Sequence, residues 1–327
     1  MVAAFISGRL GNQMFQYAFS KAVKLAQGDD TPLMFDFHKV SFAGKQEDGF
    51  EDSLKFFKVE KYREEEKLMR KYTSFFQKLL YLLYKYDTKF GYIFKNKESW
   101  YSLFRKHGLL FVSCNGYNAQ KYYPIYHKYL THGTFKKIIC DGYFAVPALF
   151  ENIKPILMEE FTPKFPPRTE NNSLYNVINS TNSICVTVRR GDYLDNCFIN
   201  KFYVCDLNYF NAAITKAKEV IQDPVFVFFS DDIEWVKSNI SVDAPSFYES
   251  GKDPVWEKLR LMYSCKHFII SNSTFSWWAQ YLSRNTENKV VISPDHWFNI
   301  KTDERSSLIS DDFITIPCKY GGTKTNE

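Results

Sequence analysis

Two arginines and an aspartate directly follow a short apolar segment, in the sequence ICVTVRRGDYL at residues 184–194. The alternating β-branched and small residues at its start predict a buried strand of a parallel sheet. Ligands of open α/β sheets bind at the carboxyl ends of strands, so Arg189 and Arg190 would offer two guanidinium groups to an anion such as a phosphate. Gly191 allows a tight turn, and Asp192 can pair with one arginine and orient the other. A plain salt bridge at a strand end is an equally good interpretation of this segment on its own.

Two further loops carry polar side chains at the expected ends of neighbouring strands. Residues 230–232 are Ser-Asp-Asp, and residues 271–276 are Ser-Asn-Ser-Thr-Phe-Ser. Ser273 and Thr274 open a predicted helix, where hydroxyl groups serve as caps and as phosphate ligands. Asp231 is expected to cap the helix after it, and two adjacent carboxylates diverge too much to bind Mg²⁺ together. We therefore expect no metal site, and arginines that neutralise a departing diphosphate instead.

The second half of the chain alternates strands and helices, which predicts a doubly wound parallel sheet. The predicted helices are about 206–221, 232–238, 254–264 and 274–283. The predicted strands are 184–188, 225–229, 267–270 and 290–293, with one more short strand after Asp312. This order brings the three polar loops to one edge of the sheet.

The first half begins with a strand at 2–6, the loop SGRLGNQ at 7–13 and a helix to about 26, followed by a strand at 33–37. This is the start of a Rossmann-like unit, but the glycines are spaced GxxG and not GxGxxG, so side chains such as Arg9 are expected to face the ligand. The remainder combines an irregular helical region at about 38–130 with strands at 109–113 and 138–140. A proline-rich connection near 163–170 separates the domains, which we place at 1–165 and 166–320, followed by a disordered polar tail at 321–327.

Composition, charge and cysteine content argue against several classes of protein. The 327 residues are 45% apolar and 24% charged, which is typical of a globular protein, and the net charge of +5 favours an anionic small molecule or membrane surface over nucleic acid. Seven cysteines without a CxxC pair or a nearby histidine cluster predict reduced thiols and argue against zinc. The first residues contain too few consecutive apolar side chains for a signal peptide or anchor, so the expected location is the cytoplasm.

Residues 68–90 contain Leu79, Leu80, Leu82 and Leu83 among Lys71, Lys78, Lys85 and Lys89. The favoured interpretation is an ordinary helix that packs its apolar face on the core and has a solvated rim. The alternative is a basic amphipathic helix that rests on the inner face of an anionic membrane, near a lipid-linked acceptor.

Four segments together resemble the α-1,2-fucosyltransferases of glycosyltransferase family 11. They are GRLGNQMFQYA at 8–18, VRRGDY at 188–193, FSDDIEW at 229–235 and CKHFIISNSTFSWW at 265–278. The resemblance implies the GT-B fold, an α/β architecture in which two Rossmann-like domains with parallel sheets face each other across a cleft. It also implies an inverting transferase that needs no metal or other cofactor. GDP-β-L-fucose would bind mainly to the C-terminal domain, and a galactoside-type acceptor mainly to the N-terminal one.

The resemblance also implies roles for single residues. Arg189 would hold the β-phosphate, Ser273 and Thr274 would bind phosphate oxygens, and the loop with Asn12 and Gln13 would reach across the cleft. The catalytic candidates are Arg189, Asp192, Asp195 and Asn12, with Asp192 or Asp195 as general base. The donor-binding candidates are Arg189, Arg190, Asp231, Ser273, Thr274, Gly11, Gln13, Thr187 and Glu257.

The chain departs from the family pattern where related enzymes contact guanine and the acceptor. Thr187 stands where the family usually has histidine, and Lys258 stands where it often has an acidic residue, for which Glu257 is the expected substitute. Ala145-Val146 follows GYF in place of the family's Gln-Ser. Three functions are therefore weighed: transfer of L-fucose in surface-glycan synthesis, transfer from another nucleotide-sugar donor on the same fold, and a non-catalytic glycan-binding or adhesive protein that uses Arg-Gly-Asp.

Overall fold

A computed structural model describes residues 1–28, 30–45, 49–89, 97–114, 135–195, 198–285, 287–301 and 305–321. The chain divides into two compact units, Met1–Glu160 and Phe161–Glu327. This boundary after Glu160 lies before the proline-rich connection, whereas the sequence predicts a boundary after residue 165. Residues 322–327 of the predicted tail, Cys197 and parts of the irregular region lie outside the described residues.

The first unit is built on a parallel five-stranded sheet with the order β3-β2-β1-β5-β4. Its strands are β1 (Val2–Phe5), β2 (Met34–Asp36), β3 (Arg63–Glu64), β4 (Leu109–Cys114) and β5 (Lys137–Gly142). Its helices are α1 (Leu10–Ala26), α2 (His38–Ala43), α3 (Leu68–Tyr72), α4 (Phe75–Lys89), α5 (Lys97–Lys106) and α6 (Lys154–Glu160), with short 3₁₀ turns at Leu54–Phe56, Pro147–Leu149 and Glu151–Ile153.

Helix α1 is the centre of the first unit, because most of its side chains are buried. Tyr17 donates a hydrogen bond to Glu160 Oε2 (2.7 Å) and accepts one from the Glu60 amide (2.8 Å). Lys21 pairs with Glu60 (2.6 Å) and Glu160 (2.8 Å). These bonds satisfy polar groups that would be costly to bury alone, and they fix the end of α6 against α1.

The second unit is built on a parallel six-stranded sheet with the order β11-β10-β9-β6-β7-β8. Its strands are β6 (Asn182–Val188), β7 (Pro224–Ser230), β8 (Ser246–Tyr248), β9 (His267–Ile269), β10 (Val291–Pro294) and β11 (Ile314–Ile316). Its helices are α7 (Asn172–Ser180), α8 (Ile199–Phe202), α9 (Leu207–Val220), α10 (Ile233–Asn239), α11 (Val255–Ser264) and α12 (Thr274–Tyr281), with 3₁₀ turns at Thr169–Asn171 and Gly191–Leu194.

Counted from its own first strand, this sheet has the order 3-2-1-4-5-6 of a Rossmann fold. The direction of winding reverses between β6 and β9, so the loops that follow these two strands leave a crevice where ligands bind in open α/β sheets. The core beneath it consists of fully buried aliphatic and aromatic side chains, among them Ile184, Val186, Phe226 and Phe228.

The expected α/β class is confirmed, with a parallel sheet in each of two units. The strands and helices predicted for the second half all occur, with small shifts at their ends. The structure adds β8, which the sequence did not predict because its three residues are only partly buried and it lies at the sheet edge. Helix α1 begins at Leu10, so Gly11, Asn12 and Gln13 lie in its first turn and not in a loop before it.

Two further observations bear on expectations from composition. Cys140, Cys185, Cys205, Cys265 and Cys318 are free thiols, whereas the side chain of Cys114 and all of Cys197 fall outside the described part. Of the helices in the described ranges, none has the length and apolar character needed to cross a bilayer.

Candidate functional site

Arg189 is the first residue after β6, and two carboxylates hold its guanidinium. Nη2 donates to Asp192 Oδ1 (2.6 Å), and Nη1 lies 2.8 Å from Asp231 Oδ2. The guanidinium also lies 5.6 Å from the ring centre of Tyr193. Burial alone would lower the pKa of Arg189, but the Asp231 and Asp192 carboxylates outweigh it and raise the pKa. The side chain is 22% exposed, so it is fixed in place and still accessible to a ligand.

Arg190 has other partners than Arg189. Its guanidinium stacks on Trp235 of α10, 3.5 Å from the ring centre, and its Nε lies 3.7 Å from Asp232 Oδ2. Arg190 is 8% exposed. Arg190 therefore joins β6 to α10, whereas Arg189 joins the loop after β6 to the loop after β7.

The two carboxylates after β7 diverge. Asp231 accepts from the Arg190 amide (2.9 Å) in addition to its pair with Arg189. Asp232 caps α10 by accepting from the Trp235 amide (3.2 Å). The expectation that Asp231 is the helix cap is therefore wrong, since the cap is one residue later.

Gly191 lies tightly against Asp231. A Cβ atom at position 191 would lie 2.5 Å from Asp231 Oδ2, much closer than a van der Waals contact. The absence of a side chain lets the loop after β6 close onto the loop after β7.

The loop after β9 is anchored by Thr187. The Thr187 hydroxyl accepts a hydrogen bond from the Ser271 amide (3.0 Å) and donates to the Ile269 carbonyl (3.4 Å). Thr187 is 3% exposed, and both of these partners of its hydroxyl are backbone groups of the segment that leaves β9. Thr187 therefore positions this loop.

Ser273 and Thr274 stand at the start of α12. Ser273 occupies the N-cap position without a side-chain cap bond. Among the described residues, the hydroxyl groups of Ser273 and Thr274 have no hydrogen-bond partner, and both residues are half-buried. The first amides of a helix also lack intrahelical partners, so hydroxyls and amides together offer hydrogen-bond donors of the kind that suit an anion.

Tyr193 joins the two loops that flank the crevice. Its hydroxyl, on the β6 loop, donates to the Asn272 carbonyl on the β9 loop (3.2 Å). Asn272 in turn donates to the carbonyls of Phe202 (2.8 Å) and Trp297 (2.9 Å). Burial raises the pKa of Tyr193, so it stays a neutral donor. Sequence reasoning missed this connection, because a tyrosine after Arg-Gly-Asp does not reveal its partner.

Asp195 lies at the end of the 3₁₀ turn after the arginines. Its amide donates to the Asp192 carbonyl (3.1 Å), and its own carbonyl accepts from Phe198 and Ile199 (2.9 Å each). The residue is exposed, and its carboxylate has no ion pair among the described residues. Asp192 is held by Arg189, which leaves Asp195 the more available of the two carboxylates.

Asp295 and His296 follow β10 at the same sheet edge. Neither was among the site residues predicted from the sequence. Asp295 Oδ1 lies 2.7 Å from His296 Nδ1 and accepts from the Cys318 amide (3.0 Å). The imidazole stacks on Tyr320 with ring centres 3.9 Å apart. The sequence does contain a hint of this site, because the Asp-His pair stands shortly after the predicted strand at 290–293.

Glu257 was expected to contact the donor base, and the structure assigns it elsewhere. It is completely buried, and its Oε1 accepts from the Arg168 amide (2.9 Å), Asn171 Nδ2 (3.2 Å) and the Tyr175 hydroxyl (3.1 Å). Oε2 accepts from Arg260 (2.9 Å). Glu257 therefore fastens α7 and the segment before it to α11. Its neighbour Lys258 pairs with Glu249 (3.2 Å), which lies directly after β8.

Gly11, Asn12 and Gln13 belong to the first unit. Gln13 is fully buried, donates to the carbonyls of Gly8 (3.0 Å) and Glu51 (2.8 Å), and accepts from the Ser53 amide (3.0 Å). Its carboxamide is thus occupied in holding residues 51–53 against α1. Asn12 is half-buried beside Gly8, and Gly11 is buried in the same turn.

The family model described as glycosyl transferase family 11 matches residues 1–311. An Escherichia coli protein named alpha-1,2-colitosyltransferase is 36% identical over 183 residues, which is 54% of this chain and 59% of that protein. The Escherichia coli O-antigen biosynthesis glycosyltransferase WbnK is 33% identical over 144 residues, 43% of this chain and 46% of that protein. The human galactoside alpha-(1,2)-fucosyltransferase 1 is 35% identical over 102 residues, 30% of this chain and 28% of that protein.

The matched segments span about half the length of the two Escherichia coli relatives. Among solved structures, the NodZ alpha-1,6-fucosyltransferase soaked with GDP-fucose aligns with 86% of this chain and 91% of its own at a TM-score of 0.46 and 14% identity.

Proposed function

The chain belongs to glycosyltransferase family 11, and from this membership we propose that it transfers a sugar from a nucleotide diphosphate donor to a hydroxyl group of a glycan. The observation that carries the proposal is the position of Arg189. It follows β6, which pairs with β9 at the reversal of winding in the second sheet. The loop after β9 leads into a helix start whose two hydroxyls, on Ser273 and Thr274, have no partner in the described residues. A diphosphate is the ligand whose charge and acceptor oxygens suit these groups.

The main change of charge during the reaction occurs on the leaving group. When the bond between the sugar and the β-phosphate breaks, negative charge grows on the phosphate oxygens. A guanidinium that Asp192 and Asp231 already hold at 2.6 and 2.8 Å needs little reorganisation to stabilise that charge. We assign this task to Arg189 and to the amides and hydroxyls at the start of α12, and we propose that no metal takes part.

The acceptor hydroxyl must lose a proton as it attacks the sugar. Asp195 is our proposed general base, because it is the exposed carboxylate closest in sequence to Arg189 that is not occupied by an arginine. An attack from the face opposite the leaving group inverts the configuration of the sugar, which would turn a β-linked donor into an α-linked product.

For the substrates, we propose L-fucose from GDP-β-L-fucose and a galactoside acceptor with an α-1,2 linkage, in free or lipid-linked glycans. The name of the human relative supports this choice. A second donor is favoured by two specific observations. Thr187 and Glu257 are engaged within the protein, and the Escherichia coli relative at 36% identity is named a colitosyltransferase. The alternative is therefore the same reaction with another nucleotide-linked sugar.

The adhesive interpretation of Arg-Gly-Asp has little support. The tripeptide is Arg190-Gly191-Asp192. Arg190 is 8% exposed and stacks on Trp235, and Asp192 pairs with Arg189 at 2.6 Å, so the two charged side chains are not displayed to a receptor.

The proposal can be tested by the thermal stability of the purified chain with GDP, UDP, CDP or dTDP. Stabilisation by GDP that is lost in Arg189→Ala is the expected result. Arg305→Ala is the matched control, because Arg305 pairs with Asp311 on the surface. Stabilisation by a different nucleotide selects the alternative donor, and the absence of any response refutes a nucleotide-dependent transferase. Incubation with the corresponding nucleotide sugar and a galactoside then identifies the product.

A further inference from the structure

Helix α4 exposes a stripe of large apolar side chains. Phe75, Phe76, Leu79, Leu82, Leu83 and Tyr86 recur at helical spacing, and 44–84% of each is accessible to solvent. Six such residues on one face form a contiguous patch of the kind that marks an interaction surface. We call these six residues the α4 face.

The opposite side of the same helix is firmly attached to the first unit. Tyr84 is fully buried and packs edge-on against Trp100 (5.7 Å between ring centres) and Phe104 (5.2 Å). Asp87 accepts from the indole of Trp100 (2.5 Å). The favoured expectation of a helix with its apolar side on the core and a solvated rim is therefore correct for Leu80 and Tyr84, and wrong for the leucines at 79, 82 and 83. Both sides of the helix are apolar, and the side chains of the α4 face keep 44–84% of their surface exposed.

The sequence around α4 is cationic. Over residues 68–106 the sequence has nine Lys and Arg but two Asp and Glu, against 42 and 37 in the whole chain. Asp87 is one of those two acids, and it is buried.

Two ion-pair clusters, one on α4 and one in the chain before it, each hold more cations than carboxylates. Asp141, at the end of β5, is shared by Lys39 (2.9 Å) and Lys85 (2.8 Å). Glu65 is likewise shared by Arg63 and Lys71. In each cluster two cations surround one carboxylate.

A third basic segment adjoins the start of α4. Gln77 donates to the carbonyl of His107 (3.2 Å), and Phe76 lies 5.0 Å from the His107 ring. This contact brings the end of α5, with the exposed Arg105 and Lys106, beside the first turn of α4.

From this combination we propose that the α4 face rests on an anionic phospholipid membrane. An apolar stripe with a basic rim is the pattern of helices that lie in the membrane interface. A helix of 15 residues is about 22 Å long, shorter than the hydrocarbon core, so it lies along the surface. A second copy of this chain is the less suitable occupant, because its own cationic rim would meet like charge. The inference does not depend on the proposed function.

Flotation of the purified chain with lipid vesicles tests the inference. We expect the chain to float with vesicles of phosphatidylcholine mixed with phosphatidylglycerol, and to float much less with phosphatidylcholine alone or at high salt. Leu82→Gln combined with Leu83→Gln should reduce the bound fraction by about tenfold or more. Both side chains are exposed, so the fold should survive the change, which thermal melting verifies.

The matched control is Ile156→Gln combined with Val220→Gln, two exposed aliphatic residues elsewhere on the surface. This variant should float like the unmodified chain. Equal flotation of the Leu82/Leu83 variant and the unmodified chain would overturn the proposal. So would a failure of the unmodified chain to bind anionic vesicles, or a dimer without lipid affinity that the Leu82/Leu83 variant abolishes.

Discussion

Asp231 Oδ2 lies 2.8 Å from Nη1 of Arg189, so an acid at the end of β7 fixes the direction of an arginine at the end of β6. The second oxygen of the same carboxylate accepts from the backbone amide of Arg190 at 2.9 Å. The side chain of Asp231 thus fixes the position of the loop after β6 and the orientation of the guanidinium on that loop.

Asp231→Asn should weaken donor use. The amide retains an acceptor for the Arg190 backbone but loses the charge that holds Arg189, so we expect kcat/KM to fall about 10- to 100-fold, equivalent to about 1.4–3 kcal/mol. Steady-state kinetics against the donor measure this. Asp232→Ala is the control, because it removes a helix cap worth about 1 kcal/mol and leaves Arg189 in place. Equal kinetic losses in both variants would contradict the assignment.

Asp195→Asn tests the proposed general base. Loss of the base should lower kcat by about 10²–10⁴-fold with little change in KM for the donor. The exposed Asp243 provides a comparison, since Asp243→Asn should leave the kinetics unchanged. A kcat close to that of the unmodified chain would remove Asp195 from the mechanism.

Thr187→Val preserves the shape of the side chain but deletes the acceptor for the Ser271 amide. We expect a loss of about 1–3 kcal/mol in the free energy of unfolding, because a buried amide is left without its partner. The loop with Ser273 and Thr274 should also bind the donor more weakly. Thr215→Val, at an exposed position of α9, is the control in denaturant titrations. Unchanged stability and unchanged donor KM together would show that the loop does not depend on Thr187.

Asp141 should make the first unit sensitive to acid. Burial alone would raise the pKa of Asp141, but Lys85, Tyr81 and Lys39 outweigh it and lower the pKa to about 2. A lowered pKa in the folded state stabilises the fold above the ordinary carboxyl pKa, and this contribution disappears as the pH falls towards 2.

Asp141→Asn should therefore cost up to about 2 kcal/mol at neutral pH, with some reduction from solvent screening at the half-exposed lysines, and almost nothing near pH 2. Unfolding by denaturant at a series of pH values measures the difference. A cost that does not change with pH would mean that the charge of Asp141 contributes nothing to stability.

Gly8→Ala should destabilise the first unit for two reasons. Gly8 has φ +76°, and a Cβ atom there would lie 2.4 Å from Asn12 Nδ2. Gly28 has φ +59° with no atom within 4 Å of such a Cβ, so Gly28→Ala carries the backbone penalty of about 1 kcal/mol alone. Thermal melts should show the larger loss for Gly8→Ala, and similar losses would mean that Asn12 moves aside at no cost.

The sequence predicted the second sheet well, because β-branched strands alternate with amphipathic helices and the polar loops follow the strands directly. The partners of individual side chains could not be predicted in the same way. Asp231 and Asp232 are adjacent and chemically identical, so the choice of cap depends on where Gly191 lets the β6 loop approach. Glu257 could have faced a ligand by its position on α11, but the segment before α7 folds over it.

The carboxylates around the two arginines also set the net charge of the site when no donor is bound. Arg189 and Arg190 are accompanied by Asp192, Asp231 and Asp232, so two positive charges face three negative ones. A diphosphate that binds Arg189 therefore joins carboxylates that keep their positions, and it does not fill a bare cationic site. Inorganic sulfate and phosphate, which lack the nucleoside and sugar contacts, should compete poorly, and the affinity for the donor should depend only weakly on ionic strength.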